Sequence, residues 1–181
     1  EGGAVKLTTE VAGILPVPLG DVCFLKQTLR AAAFVPLLPA GRLSLGLDLN
    51  AGMLLPLLKS AADETCISDR FYLGGPGSFW GFRTRGCGPR ELRNSPTGDA
   101  AALGARAPRD ALGGDVMAVG TVSLSLALPG KLEASRMRAH AFASAGGLTG
   151  LAALNHAGSF APSLRACVGI GIGLPTSVGR V

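Results

Sequence analysis

Strict alternation of side-chain polarity over residues 42–53 is the feature that most constrains how this chain can fold. Residues of one parity are apolar and those of the other are small, polar or charged: Leu43, Leu45, Leu47, Leu49, Ala51 and Met53 against Arg42, Ser44, Gly46, Asp48, Asn50 and Gly52. Successive side chains of a β-strand point to opposite faces, so the pattern predicts a strand with one apolar and one polar face. On a helix the same residues would place leucine and charge on every side.

Five other segments, each about ten residues long, repeat this alternation. They cover residues 5–11, 25–35, 116–128, 137–144 and 164–174. A tilted strand needs about this length to cross a bilayer. The composition agrees, because 48% of the residues are hydrophobic and only 16% are charged. The longest uncharged run, residues 139–164, is interrupted by glycine and proline, so no transmembrane helix is predicted.

The connections between these segments alternate in length. Residues 38–41 form a short turn and residues 129–131 begin another, whereas the connections over about 58–113 and 146–163 are long. Membrane barrels have short turns at one end and long loops at the other. The sequence therefore predicts an all-β fold, a transmembrane antiparallel up-and-down β-barrel, with residues 1–181 as one partial barrel domain. Its aliphatic faces would contact lipid and its polar faces would line a lumen.

A soluble antiparallel β-sandwich with one buried face is the alternative fold, since its strands would alternate in the same way. The low aromatic content, 5% of the residues, favours this alternative, because membrane barrels carry interfacial girdles of tryptophan and tyrosine. The purity of the aliphatic faces, set against glycine, serine, threonine and charge on the other faces, favours the membrane barrel.

The reactive side chains give no sign of catalysis. The two histidines and the four cysteines stand in no metal-binding spacing, and no nucleophile motif of a hydrolase occurs. The basic residues are scattered rather than clustered. We therefore predict no enzyme activity, no cofactor, no metal site and no nucleic-acid partner.

Residues 71–90, called the signature loop below, are rich in glycine, aromatic residues and arginine. They read Phe-Tyr-Leu-Gly-Gly-Pro-Gly-Ser-Phe-Trp-Gly-Phe-Arg-Thr-Arg-Gly-Cys-Gly-Pro-Arg and lack the GxxxxGK[ST] pattern of a phosphate-binding loop. The segment resembles the signature of the outer-membrane β-barrel insertases, a family that includes bacterial BamA and the barrel subunit of the mitochondrial sorting and assembly machinery. Its flanks are most similar to the mitochondrial member.

The family pattern is Leu-Gly-Gly, a serine, then aliphatic-Arg-Gly-aromatic, and here Trp80 stands where the arginine is expected. In the family this arginine pairs with acidic residues of the inner wall. The resemblance implies that Arg83 or Arg85 supplies the cation instead, that Asp115 or Asp48 supplies the lumenal acid, and that Trp80 fills space against the wall. The positions that carry the resemblance are Leu73, Gly74, Gly75, Ser78, Trp80, Gly81, Phe82, Arg83 and Arg85.

The resemblance also implies a function. The chain would be the C-terminal part of a 16-stranded barrel, with its long loop of about residues 58–113 folded into the lumen. The start at Glu1 without an initiator methionine, and the stop at Val181 after a strand-like run, predict a fragment. The protein would insert and assemble β-barrel precursors in the mitochondrial outer membrane, with accessory subunits as further partners. The alternatives are a polypeptide-translocating barrel of the chloroplast outer envelope and a soluble β-sandwich binding module.

Overall fold

A six-stranded sheet dominates the structure, a computed structural model that describes residues 2–13, 22–57, 65–93, 109–128, 137–154, 160–173, 175–176 and 179–180. Two short strands lie in the long connection between the third and fourth strands of this sheet. The strands are β1 (Gly2–Ala12), β2 (Phe24–Pro36), β3 (Leu43–Pro56), β4 (Arg90–Leu92), β5 (Arg109–Ala111), β6 (Val116–Ala127), β7 (Arg138–Thr149), β8 (Arg165–Gly173), β9 (Pro175–Thr176) and β10 (Gly179–Arg180).

The order of the large sheet is β1-β2-β3-β6-β7-β8, and every neighbouring pair is antiparallel. The chain therefore runs up and down through the sheet without a crossover. Strands β4 and β5 pair in a separate hairpin, as do β9 and β10. Within the described residues, the remaining elements are a one-turn helix, α1 (Leu151–Leu154), and two 3-10 turns at Pro39–Gly41 and Ala161–Ser163.

In the part of the chain that the structure describes, no helix has the length and apolar character needed to cross a membrane.

All six predicted strands are present, and the predicted all-β antiparallel meander is confirmed. One boundary was wrong, because β7 continues to Thr149 and the connection predicted to start at 146 starts later. Gly146 stays in the ladder opposite Val119 and Arg165, and a Cβ there would lie 2.7 Å from the carbonyl oxygen of Ala118. A glycine at this position permits the close approach of β6. The turn predicted at 129–131 lies outside the described residues.

The register keeps aliphatic residues opposite aliphatic residues across the sheet. Leu47 of β3, for example, lies opposite Ala33 of β2 and Val122 of β6. This aliphatic face is uncovered, and Val168 and Ile170 of β8 are 82% and 89% exposed. The opposite face carries threonine, serine, glycine and charge and is called the polar face below. It is the covered one, since every buried hydrophobic side chain of the described sheet strands belongs to it.

This distribution is the reverse of that in a water-soluble protein, where the apolar face of a sheet is buried. No second sheet of the described residues packs on the aliphatic face, as the alternative of a β-sandwich would require. Lipid is the environment that suits a broad aliphatic surface on strands of 9 to 14 residues. The sheet is not closed among the described strands, because β1 and β8 are its two edges.

Candidate functional site

The signature loop lies on the polar face and is tied to the sheet by backbone hydrogen bonds. Phe71 and Gly114 exchange two bonds, each with an N–O distance of 2.9 Å. The N–H of Cys87 donates to the carbonyl of Leu73 over 3.0 Å, so the loop doubles back as an irregular hairpin. The amine of Lys26, on β2, lies 4.9 Å from the centroid of the Phe71 ring. The loop is therefore anchored at the start of β6 and across β2.

The apolar core lies between the signature loop and one end of the polar face. Two of its largest side chains come from the loop and two from β3 and β7. Full burial of one such side chain contributes about 1.5–3 kcal/mol, so this core is the main force that holds the loop on the sheet. The four largest fully buried side chains are Phe79, Leu73, Leu54 and Leu148.

Sequence reasoning missed this docking surface. Leu54 of β3, Met117 and Val119 of β6, and Leu148 of β7 share the parity of the polar face, yet they are apolar and buried. Apolar residues at the lumen-facing positions of a barrel strand do not contact lipid, so another part of the protein must bury them. These four exceptions to the alternation were the available sign that the long connection packs there.

Glycines let the loop and the sheet approach closely. A Cβ at Gly52 of β3 would lie 2.6 Å from Cζ of Phe71, so the Phe71 ring occupies the place of a missing side chain. Within the loop, Gly88 has a φ of +104°, which L-residues rarely adopt. A Cβ at Gly88 would also lie 2.6 Å from Cδ2 of Leu148. Both glycines are therefore required by the docked arrangement rather than by a flexible loop.

The tip of the loop combines a buried and an exposed aromatic side chain. The N–H of Phe79 donates to the carbonyl of Gly75 over 2.9 Å, and the Phe79 ring stacks on Phe82 at 4.7 Å between centroids. Phe79 enters the core, whereas Trp80 is 57% exposed and contacts Phe142 of β7 at 6.3 Å between ring centroids. Trp80 thus reaches the wall, but it is not buried as a space-filling residue.

Asp115, at the start of β6, is a buried acceptor that joins three segments. The Thr65 hydroxyl donates to Oδ1 over 2.5 Å and the backbone N–H of Leu151, in α1, donates to Oδ2 over 3.0 Å. Nε of Arg70 lies 3.7 Å from Oδ1 and donates to the Thr65 hydroxyl over 2.7 Å. The side chains of Arg70 and Asp115 are 18% and 11% exposed. We call Thr65, Arg70 and Asp115 the Asp115 cluster.

The predicted pairing of Arg83 or Arg85 with Asp115 is therefore wrong, and Arg70 is the cation. The reason is the antiparallel backbone pairing of Phe71 with Gly114. This pairing places Arg70, the residue before Phe71, beside Asp115, the residue after Gly114. Arg85 instead has its guanidinium 4.4 Å from the centroid of Tyr72, in a backbone conformation with φ of 54°.

Arg83 begins the turn that precedes Cys87. Its carbonyl accepts the N–H of Gly86 over 2.7 Å. A Cβ at Gly74, where φ is +119°, would collide with this same carbonyl, so Leu73-Gly74-Gly75 and the Arg83 turn pack backbone against backbone. The glycines of the signature thus serve the internal packing of the loop.

Asp48 lies apart from Asp115, on the wall of a cavity of about 670 Å³ beneath the loop tip. Lys6, Arg30 and His140 line the same cavity, with Ser78 and Trp80 on the loop side. The cavity thus carries charges of both signs. Over the described ranges, no three or more His, Cys, Asp or Glu side chains are placed to hold a metal ion.

Two cysteines of the long connection report on the docking of the loop. Hydrogen bonds from Ser68 lower the pKa of the Cys66 thiol, whereas burial raises the pKa of the Cys87 thiol. A lower pKa gives more thiolate at a given pH, and thiolate is the form that reacts. We expect Cys66 to react with iodoacetamide on the order of tenfold faster than Cys87 near pH 7.5.

Mass spectrometry of single-cysteine variants in lipid vesicles measures these rates. In concentrated urea the two rates should converge, which provides the control. Equal rates without denaturant would contradict a signature loop that is docked on the sheet with Cys87 buried.

A sheet with a bare aliphatic face, and with a long connection packed on its polar face, defines part of the wall of a transmembrane β-barrel. The family model described as the Omp85 superfamily domain matches residues 1–181. The chain belongs to the Omp85 superfamily.

Similar proteins extend this assignment. A SAM50-like protein of Schizosaccharomyces pombe is 34% identical over 176 residues, which are 96% of this chain and 33% of that protein. The sorting and assembly machinery component 50 homolog A of Xenopus laevis is 30% identical over 186 residues, 99% of this chain and 35% of that protein. The chain thus spans about a third of the length of these relatives.

A solved structure has the same fold. The crystal structure of BamA from Haemophilus ducreyi lacking POTRA domains 1–3 superposes with a TM-score of 0.75 at 17% identity. The match covers 99% of this chain and 33% of that one. The predicted relationship to the insertase family and the predicted barrel fold are confirmed.

Proposed function

We propose that the protein inserts and assembles β-barrel precursors in the mitochondrial outer membrane. Two observations support the mitochondrial assignment. The signature loop and its flanks resemble those of the mitochondrial member of the family, and the Xenopus laevis relative is named as a sorting and assembly machinery component. The partners in this proposal are β-barrel precursors, accessory subunits of an assembly complex and the surrounding lipid.

The observation that carries the proposal is the packing of the signature loop on the polar face while the aliphatic face stays bare. With lipid on the aliphatic side, the loop lies on the inner side of the wall. A loop held there by a buried core and by the Asp115 cluster partly fills the lumen and stiffens the adjoining strands β3, β6 and β7. Such a wall suits an insertase better than an open pore.

The physical driving force for insertion is the pairing of backbone groups. An unpaired N–H or C=O in the hydrocarbon region costs several kcal/mol, so an incoming strand gains stability when it pairs with an available strand edge. Addition of a strand to an edge is an established mode of peptide recognition. In this proposal the described strands form the lipid-facing wall of the insertase and the signature loop shapes its interior.

Assembly of a newly synthesised β-barrel precursor by isolated mitochondria tests the proposal. Mitochondria depleted of the protein should accumulate precursor in a protease-sensitive form, and re-expression of the protein should restore assembly. Import of a matrix-directed precursor serves as the control and should be unchanged at early times after depletion.

Unimpaired barrel assembly after depletion would contradict the proposal. A polypeptide-translocating barrel predicts a different outcome, in which passage of non-barrel precursors across the outer membrane fails while barrel assembly continues.

A further inference from the structure

Trp80, at the loop tip, contacts strand β7 of the sheet. Its ring lies 6.3 Å from that of Phe142, with an angle of 56° between the ring planes. Tilted aromatic pairs at 4.5–7 Å between centroids are energetically favourable beyond the area that they bury. The contact joins the signature loop to β7, a strand that is separated from the anchor at Lys26 by the whole width of β3 and β6.

Phe142 is fixed in place by the strand beside it. It lies opposite Gly169 of β8, and a Cβ at Gly169 would lie 2.5 Å from Cε1 of the Phe142 ring. The ring therefore covers a position without a side chain, an arrangement in which an aromatic residue compensates a strand glycine. On the loop side, Gly81 has a φ of +80°, and a Cβ there would lie 3.4 Å from Cβ of Cys167, so the tip sits close to β8.

The surroundings of Trp80 favour an uncharged side chain. The cavity beneath it is lined by Lys6 and Arg30, whose cations lie on the walls of β1 and β2. Among the described residues, Asp48 and His140 are the other ionisable groups that line this cavity. A cation at position 80 would share the cavity with two like charges and with one carboxylate, whereas an indole adds no charge.

We propose that Trp80 and Phe142 form an aromatic clasp that positions the tip of the signature loop against the inner wall without an ion pair. This inference rests on the proposed function only for its consequence in β-barrel assembly. Trp80 stands at the position where the resembling family has arginine, so the clasp replaces a charged contact with an apolar one. The position of the loop tip in this protein should therefore be insensitive to salt.

The reaction rate of Cys87 measures the clasp, since this thiol of the signature loop is 7% exposed while the loop is docked on the sheet. In single-cysteine protein in lipid vesicles, Trp80→Ala and Phe142→Ala should each raise the rate of Cys87 alkylation by roughly two- to twelve-fold. The double variant should exceed neither single variant appreciably, because one contact is lost in all three. Trp80→Phe should keep the alkylation of Cys87 slow, because phenylalanine preserves the aromatic contact. If the size of the indole ring were what mattered, this variant would be alkylated as fast as Trp80→Ala.

A matched control is available on the same face. Phe34 of β2 covers Gly46 of β3 and is absent from the core that holds the loop. Phe34→Ala should leave the Cys87 rate unchanged. Fluorescence gives a second readout, because Trp80 is the single tryptophan of the chain. Phe142→Ala should shift its emission to longer wavelength, and Phe34→Ala should not.

Salt and charge decide between the clasp and an ion pair. Wild-type Cys87 protection should be equal at about 0.05 and 1 M salt, since exposed charges are screened within about 3 Å at the higher concentration. Trp80→Arg should speed alkylation, and Trp80→Arg with Phe142→Asp should slow it again in a salt-sensitive manner.

Three results would overturn the clasp: a Cys87 rate unaffected by Trp80→Ala, additive effects of the two alanine variants, or loss of wild-type protection in salt. Client assembly is measured separately. If Cys87 protection follows the clasp while barrel assembly is unchanged in the variants, the clasp stands without a role in assembly. Failure of the proposed function would instead be seen as unimpaired assembly after depletion of the protein.

Discussion

Replacement of Leu47 by arginine is expected to destabilise the membrane-inserted protein by roughly 2–4 kcal/mol. Leu47 lies within β3, on the aliphatic face, and its neighbours across the sheet are Ala33 and Val122. A guanidinium there must enter hydrocarbon or draw water into it. The free energy of unfolding, measured with urea in lipid vesicles, reports the loss directly.

The matched control for this variant is Asp48→Arg. Asp48 is adjacent in sequence, lies at the same depth and is exposed on the polar face, so the same side chain should cost much less. Gly46 appears equivalent from the sequence but is unsuitable, because a Cβ there would lie 2.5 Å from Oγ of Ser123 and 3.1 Å from the Phe34 ring. Equal costs for Leu47→Arg and Asp48→Arg would contradict the assignment of the two faces.

Asp115→Ala is expected to cost about 3–5 kcal/mol, the range for breaking a buried ion pair by removing one partner. The change leaves the Arg70 guanidinium, 18% exposed, without its carboxylate, and it removes the acceptor of the Thr65 hydroxyl and of the Leu151 N–H. The expected result is loss of the anchor between the segment before the signature loop and β6. The urea midpoint in vesicles and the alkylation rate of Cys87 should both change.

Two further variants separate charge from volume. Asp48→Asn removes a carboxylate from the exposed part of the polar face and should change stability by less than about 0.5 kcal/mol. Arg70→Met with Asp115→Leu removes both charges of the cluster together and should recover much of the loss, because no stranded ion is left. If Asp115→Ala is no more costly than Asp48→Asn, the cluster does not hold the loop.

The sheet could be predicted from the sequence because its strands are specified by a pattern among residues that are neighbours in the chain. Alternation with period two specifies strand and face at once, and the length of each segment matches the bilayer. The one boundary error has its origin in glycine. Gly146 was taken to begin a loop, yet the ladder continues through it, and its lack of a side chain lets β6 approach closely.

The candidate site was predicted only in part, because its contacts are not local. The signature loop identified the family, but the partner of Asp115 depends on the antiparallel bridge between Phe71 and Gly114. Nothing in the spacing of Arg70, Arg83 and Arg85 indicates which arginine this bridge selects. The contact of Trp80 with Phe142 likewise requires the register of β7 against β8, which alternation alone does not fix.

The most direct test of the account is the accessibility of spin labels placed singly at residues 43–53, after replacement of the four native cysteines, in protein reconstituted in lipid vesicles. Collision with oxygen, which concentrates in the hydrocarbon, and with a water-soluble nickel chelate distinguishes the two faces. We expect oxygen collision with a period of two residues, high at Leu43, Leu45 and Leu47 and low at the alternate positions. Uniform access of the nickel chelate to Leu43, Leu45 and Leu47 would contradict it.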